Sequence, residues 1–123
     1  MMNWYCGWSM ILCAFVSGAV LGMFFYREDF LGGYGSFQRR ILRLGHIALA
    51  ALGMMNVLYS LTPPANDVST RATLASLGFV VGGVSMPAVC FLSAWRAGFR
   101  VWFFIPVIAL IVAVVQTLRL GVP

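Results

Sequence analysis

The sequence WYCGWSMILCAFVSGAVLGMFFY, residues 4–26, contains no charged side chain and is followed at once by Arg27, Glu28 and Asp29. A helix needs about 20 mostly apolar residues to cross the hydrocarbon core of a bilayer. The run is therefore long enough to be a transmembrane helix, and the three charged residues mark its end. Further apolar runs of similar length follow at residues 41–61, 74–95 and 101–118.

These four runs leave little of the chain for anything else. Of the 123 residues, 62% are hydrophobic and 9% are charged, whereas an average soluble domain has about 25% charged residues. A soluble domain of this size could not hide so much apolar surface from water. We therefore predict an all-α fold, an integral membrane bundle of four transmembrane helices that forms a single domain over residues 1–123. Because no soluble catalytic domain would fit, we expect no enzymatic activity.

Polar residues separate the second run from the third. Thr62 is followed by Pro63 and Pro64, which cannot donate backbone hydrogen bonds and which disfavour helix in the residue before them. The second helix is therefore predicted to end at this point. The third helix is expected to begin after residues of the types that cap helix N-termini, namely Asn66, Asp67, Ser69 and Thr70.

The net charge of +5 comes from eight basic residues, all arginines, and three acidic residues. The first and third connections hold Arg27, Arg39, Arg40, Arg43, Arg96 and Arg100, and the opposite side holds Arg71 and Arg119. Cytoplasmic loops of membrane proteins carry an excess of basic residues. We therefore expect a bacterial inner-membrane protein whose two termini face away from the cytoplasm. Arginines between apolar runs favour contact with lipid phosphates over nucleic-acid binding, and we expect this contact at Arg27, Arg40, Arg96 and Arg100.

Small residues recur at helical spacing in three of the runs, and such residues let membrane helices approach closely. They are Ala14, Gly18 and Gly22 in the first run, Gly53 in the second, and Gly78 and Gly82 in the third. We predict that these glycines pack between helices. The fourth run is bulky nearly all round and is expected to face lipid or a partner subunit. Pro87 and Pro106 each remove a backbone hydrogen bond and are expected to kink their helices.

His46 is the only histidine and lies inside the second run, after Arg39 and Arg43. A neutral imidazole can ligate haem iron or the magnesium of a (bacterio)chlorophyll, and the two arginines stand where acidic groups of such a cofactor would lie. A second axial ligand would have to come from a neighbouring subunit or from Met54, Met55 or Met86. The alternatives are a histidine hydrogen-bonded within the bundle and a contact with a quinone or a transferred proton.

Other chemistries find no support in the sequence. The chain has no zinc-ligand spacing, no phosphate-binding loop and no set of nucleophile, base and acid, so we expect neither a metal site nor a catalytic site. No Asp, Glu, Lys or Arg lies at the middle of a run, whereas proton-coupled transporters need an ionisable group there. Asn56 and Gln116 lie well within runs and are predicted to form hydrogen bonds between helices.

Four spans with short connections and no chemistry of their own are typical of an accessory subunit. We expect the chain to belong to a larger membrane complex, an energy-converting one of the respiratory or photosynthetic kind, with lipids and other membrane subunits as its partners. The first alternative is a membrane anchor that binds haem or a pigment through His46. The second is a small channel or transporter that works as a homo-oligomer.

Overall fold

The computed structural model of the chain describes residues 1–62 and 70–121, and this part of the chain is helical with no strand. The helices are α1 (Met2–Phe25), α2 (Phe37–Leu61), α3 (Thr70–Trp95) and α4 (Phe104–Leu120). Short 3-10 segments occupy Phe30–Gly32 and Ala97–Phe103. Four helical segments are long and apolar enough to cross a membrane, the last of them Ala97–Leu120. The predicted all-α bundle of four transmembrane helices is confirmed.

The ends of α2 and α3 differ from the predicted spans. Helix α2 begins four residues early because the Ser36 side chain caps it, accepting a hydrogen bond of 3.2 Å from the Arg39 backbone N–H. Helix α3 already includes Thr70, one of the predicted capping residues. The predicted stop at Pro63 and Pro64 lies outside the described residues, as do the predicted caps Asn66, Asp67 and Ser69.

A tight reversal joins α1 to α2. Gly32 and Gly33 have φ values of 83° and 90°, and Leu31 just before them has a φ of 51°. Glycine adopts such positive φ values without the steric cost that a side chain would impose. The chain therefore turns back within the short connection, and α2 runs antiparallel to α1.

The helices stand in a row, with α1 packed on α2, α2 on α3, and α3 on α4. Among the described elements, the only extensive packing of α4 is against α3 and its adjoining 3-10 segment. Helix α1 meets α3 mainly near its own start, where Asn3 contacts Ser76 and Met10 approaches Gly83. The two outer helices therefore leave wide apolar faces uncovered.

Glycines bring neighbouring backbones into contact. A Cβ atom on Gly53 would lie 3.0 Å from the carbonyl oxygen of Gly7 on α1. A Cβ atom on Gly78 would lie 2.7 Å from the carbonyl oxygen of Ala109 on α4, and Gly82 also abuts α4 one turn further on. Any larger side chain at these positions would push the helices apart.

Gly22 does not have the packing role predicted for it. It is exposed, and within the described part of the chain no heavy atom would lie within 4 Å of a Cβ placed on it. Gly18, one turn earlier, lies against His46. Arg43 of α2 lies over the ring of Tyr34 and the ring of Phe25 at the end of α1, and none of its atoms would lie within 4 Å of a Cβ at Gly22.

The two prolines differ in their positions within the helices. Pro87 lies inside α3 and is buried. Pro106 is the third residue of α4, where a backbone N–H would have no partner within the helix in any case. The backbone changes from 3-10 to α-helix between Phe103 and Phe104, just before this proline.

A buried polar network joins α1, α2 and α3. The Asn3 amide nitrogen donates to the Asn56 side-chain oxygen at 2.9 Å and to the Ser76 carbonyl at 3.2 Å, while the Ser76 hydroxyl donates to the Asn3 side-chain oxygen. The Asn56 amide nitrogen donates at 3.0 Å to the carbonyls of Leu52 and Phe79. Both amides are thus fully paired, and the interhelical role predicted for Asn56 is confirmed.

Replacement of Asn56 by Ala should destabilise the fold by about 2 kcal/mol, because it removes two interhelical hydrogen bonds and leaves the Asn3 amide short of a partner. Unfolding in mixed micelles with increasing dodecyl sulfate, followed by circular dichroism, measures this change. Ser85→Ala is the matched control, since the Ser85 hydroxyl donates only to Val81 of its own helix. Equal losses in the two variants would contradict a clamping role for the network.

Candidate functional site

His46 lies on α2 at the seam with α1, nine residues after Phe37, which places it about 13 Å along the helix. Its imidazole lies across Gly18, where a Cβ atom would come within 2.7 Å of Cε1 and 3.2 Å of Nε2. Gly18 is therefore the residue that makes room for the ring. The residue is half-buried.

Ser17 forms a hydrogen bond with this imidazole from the neighbouring helix. The Ser17 hydroxyl lies 3.1 Å from His46 Nδ1 and 3.2 Å from the Ala14 carbonyl oxygen. Two arrangements fit these distances: the hydroxyl donates to the Ala14 carbonyl and accepts from Nδ1–H, or it donates to an unprotonated Nδ1. In both arrangements Nε2 has no hydrogen-bond partner among the described residues.

The structure excludes two of the residues proposed as a second axial ligand for a metal bound by His46. Met54 and Met55 are exposed on the same helix, eight and nine residues further on, which is about 12 Å or more along its axis. Neither can lie on the opposite side of a metal bound by His46, so both are excluded as second axial ligands. The hydrogen bond between Nδ1 and Ser17 is the kind of contact that orients metal-bound histidines, but it would equally orient a histidine that only forms hydrogen bonds.

Arg39 is committed to holding α1 in place and is not free for a cofactor acid group, contrary to the prediction. Its side chain is only 4% exposed. The guanidinium donates to the carbonyl oxygens of Phe25 at 2.6 Å, Glu28 at 3.3 Å and Arg27 at 3.5 Å. It also lies 4.5 Å from the centre of the Phe25 ring. A positive charge at a helix C-terminus pairs with its unsatisfied carbonyls, so Arg39 caps α1.

Arg43 lies one turn further along α2 and forms fewer hydrogen bonds than Arg39. Its Cζ atom is 4.3 Å from the centre of the Tyr34 ring, and Nη2 donates to the Tyr34 carbonyl oxygen at 3.5 Å. Nε is buried and unpaired among the residues that the structure describes. Arg43 and His46 are three residues apart and therefore share one face of α2. Of the three predicted cofactor residues, Arg43 and His46 thus lie on one face of α2, and no atom of either would lie within 4 Å of a Cβ at Gly22.

The other predicted lipid-contacting arginines lie at the ends of the helices, where headgroups would be. Arg27, Arg40, Arg96 and Arg100 are all exposed. Within residues 1–62 and 70–121, the one ion pair joins Arg27 to Asp29 at 3.8 Å, with both side chains mostly exposed. Such a pair contributes little to stability, so these arginines remain available to lipid phosphates.

Two residues that contribute to this seam were not predicted. Ser17 precedes Gly18 directly, and its place beside a packing glycine is the only signal that it faces another helix. Tyr34 lies between Gly33 and Gly35. An aromatic side chain between two glycines in a connection is a sign that its ring packs against another part of the protein. Neither signal identifies His46 or Arg43 as the partner, because that depends on how α1 and α2 are aligned.

A cavity of about 220 Å³ lies at the other end of the bundle, lined by Asn3, Tyr59, Ser76 and Thr117 among others. The hydroxyl groups of two of its lining residues already donate hydrogen bonds within the protein. Tyr59 donates to Ala72 at 2.8 Å and Thr117 donates to Ala113 at 2.8 Å, both to backbone carbonyls. The His46 and Arg43 seam is the stronger candidate, since it presents polar atoms without partners.

Replacing Arg39 with Gln should loosen the end of α1, because a shorter neutral side chain cannot reach three carbonyls at once. We expect a loss of about 2 kcal/mol in stability and faster amide hydrogen exchange in residues 24–28. Arg40→Gln is the matched control: Arg40 is exposed, so its removal should change stability by no more than about 0.5 kcal/mol. Unchanged exchange in Arg39→Gln would show that the cap is not needed.

None of the protein-family models, curated proteins or solved structures with which the chain was compared matches it.

Proposed function

We propose that the chain is an accessory subunit of a larger membrane protein complex of the bacterial inner membrane, an energy-converting one of the respiratory or photosynthetic kind. The observation that carries this proposal is the position and surface of α4. This helix stands at the edge of the row, and Ala113 and Pro106 are its buried residues. Outside the side that packs on α3, where Ala109 and Leu110 meet Gly78 and Gly82, most of the helix surface is exposed and can contact lipid or another protein.

The exposed surface of α4 is unusually rigid for a helix in contact with lipid. It consists largely of β-branched residues, namely Val107, Ile108, Ile111, Val112, Val114 and Val115. Val and Ile have essentially one side-chain rotamer in a helix, so docking against them restricts little further motion. The exposed face of α1 also carries Val16 and Val20, but it includes the more flexible side chains of Leu12 and Met23. A partner helix would therefore lose less side-chain entropy by docking on α4 than on α1.

The energy-converting character of the complex is supported by His46. Polar groups inside membrane spans are rare and are usually functional. A half-buried imidazole whose Nδ1 is hydrogen-bonded to Ser17 suits the electron and proton carriers of such complexes. The same imidazole favours the second candidate function, a membrane anchor that binds a cofactor through His46.

The orientation proposed for the chain places both termini on the non-cytoplasmic side, on the strength of the arginines near the α1–α2 and α3–α4 connections. Gly35→Cys and Thr62→Cys test it, since both residues are exposed and lie in opposite connections. In right-side-out bacterial spheroplasts, a membrane-impermeant maleimide should label Thr62→Cys readily and Gly35→Cys only after lysis. The reverse pattern would overturn the proposed orientation.

If α4 docks against a partner subunit, a photoreactive group on α4 should form a cross-link to that subunit. A photoreactive benzoylphenylalanine in place of Ile111 should give a product with another membrane polypeptide when native membranes are irradiated. The same group in place of Phe15, on the exposed face of α1, is the matched control and should give much less. Cross-links to a second copy of the chain would support a homo-oligomeric channel or transporter instead. Cross-links to lipid alone would remove the accessory-subunit proposal.

A further inference from the structure

A groove lies between the end of α3 and the segment that leads into α4. It has a volume of about 300 Å³ and is lined by apolar and aromatic residues, namely Val89, Leu92, Phe99, Trp102 and Ile105. We call it the α3–α4 groove. Val89 is buried, whereas Leu92 and Trp102 are 40% and 49% exposed. The groove therefore opens on the outer surface of the bundle, where the hydrocarbon chains of the membrane would reach it.

The two walls of the groove follow from the helix types on either side of it. Residues three apart lie one above the other in a 3-10 helix, so Phe99 and Trp102 stand on the same side of the segment Ala97–Phe103. Val89 and Leu92 are also three apart and share a face of α3. An aromatic wall therefore faces an aliphatic one.

Arg96 joins the two walls at one end of the groove. Its backbone N–H donates to the Leu92 carbonyl oxygen at 2.8 Å, and its own carbonyl oxygen accepts from the Phe99 N–H at 3.0 Å. Arg100 follows Phe99 directly. Both arginines are exposed and lie beyond the end of α3, where lipid headgroups would be. The groove thus has two positive charges at its headgroup end.

These two charges are not neutralised within the part of the chain that the structure describes. The one ion pair found there joins Arg27 to Asp29, so no acidic side chain of that part pairs with Arg96 or Arg100. A guanidinium can bind a phosphate through two parallel hydrogen bonds, and basic pockets between membrane helices bind anionic headgroups. An anion attached to an apolar chain would therefore suit the arginines and the groove together.

We propose that the α3–α4 groove binds one anionic phospholipid. The phosphate accepts hydrogen bonds from Arg96 and Arg100, and one acyl chain lies between the two walls. Val89 precedes Arg96 by seven residues, about 10 Å along the axis of α3. The groove therefore runs from the headgroup level into the hydrocarbon, as an acyl chain does. Inorganic phosphate has no chain to place in the groove, and a zwitterionic lipid carries a positive group that offsets the attraction to the arginines.

The preference for an anionic headgroup should depend on Arg96. One basic residue near the membrane surface strengthens the binding of an anionic lipid about fivefold, so Arg96→Gln should lower the affinity by about that factor. Arg40→Gln is the matched control, because Arg40 is an exposed arginine near the start of α2, at the same end of the bundle, and does not line the groove. It removes the same charge and, with salt screening, should change the affinity by less than about twofold.

Trp102 can report whether the groove is occupied. A variant in which Trp4, Trp8 and Trp95 are replaced by Phe retains Trp102 as its one tryptophan. It is reconstituted in phosphatidylcholine vesicles that contain increasing fractions of phosphatidylglycerol with brominated acyl chains, which quench the fluorescence of a neighbouring indole. Phosphatidylcholine with the same brominated chains is the comparison. Half-maximal quenching should occur at a fraction of the brominated phosphatidylglycerol that is lower by about fivefold or more.

Ile105→Phe, in the same background, tests the place of the acyl chain separately from that of the headgroup. The larger ring fills part of the groove and should weaken quenching by the brominated phosphatidylglycerol several-fold, although Arg96 and Arg100 are unchanged. Circular dichroism and gel filtration establish that each variant is folded.

Equal half-maximal fractions for the two brominated lipids would overturn the proposal. Equal losses in Arg96→Gln and Arg40→Gln would also overturn it, because the attraction would then belong to the whole basic end of the bundle. Quenching that is unchanged in Ile105→Phe would show that the acyl chain lies outside the groove, with the same consequence. No partner subunit is needed for this measurement, so it can fail while the cross-linking from α4 succeeds, and the reverse.

Discussion

A polar group within the hydrocarbon core of a bilayer has no water to bind and must find a partner in the protein or in a ligand. This constraint fixes how α1, α2 and α3 meet. Asn3 and Asn56 bind each other and the backbone of α3, and Gly83 leaves room for them, since a Cβ there would lie 2.9 Å from the Asn56 amide nitrogen. Sliding or rotating one helix would break several of these hydrogen bonds together. The apolar contacts between the helices are far less selective, because lipid tails can replace them.

The positions of the membrane helices follow from the sequence because span length is a property of the bilayer, and each of the four runs meets it alone. The helix ends are less predictable, since they depend on local hydrogen bonds. Ser36 starts α2 by capping it, and charged residues such as Arg39 fit inside the first turn because it lies near the interface. Pro106 illustrates the same limit. Its effect depends on whether it lies inside a helix or in the first turn, and hydropathy does not distinguish the two.

The candidate site was only partly predictable for a related reason. Spacing gives the side of a helix on which a residue lies, but not whether the facing helix reaches it. Gly18 and Gly22 lie on the same side of α1. His46 packs against Gly18, however, whereas Gly22 is exposed. Arg39 and Arg43 also share a face of α2, and one is buried against three carbonyls while the other keeps most of its donors. These differences arise from how α1 and α2 are aligned. The residue spacing within either helix alone does not determine that alignment.

The contact between Arg39 and Phe25 also bears on how the chain assembles during synthesis. It joins residues 14 apart in sequence, and closing so short a loop loses little entropy. Arg39 enters α2 near its start, so this contact can form as soon as the beginning of α2 has been synthesised. The bond from Asn56 to Phe79 must wait for α3. The first two helices can therefore enter the bilayer as a paired hairpin, onto which the third and then the fourth helix are added.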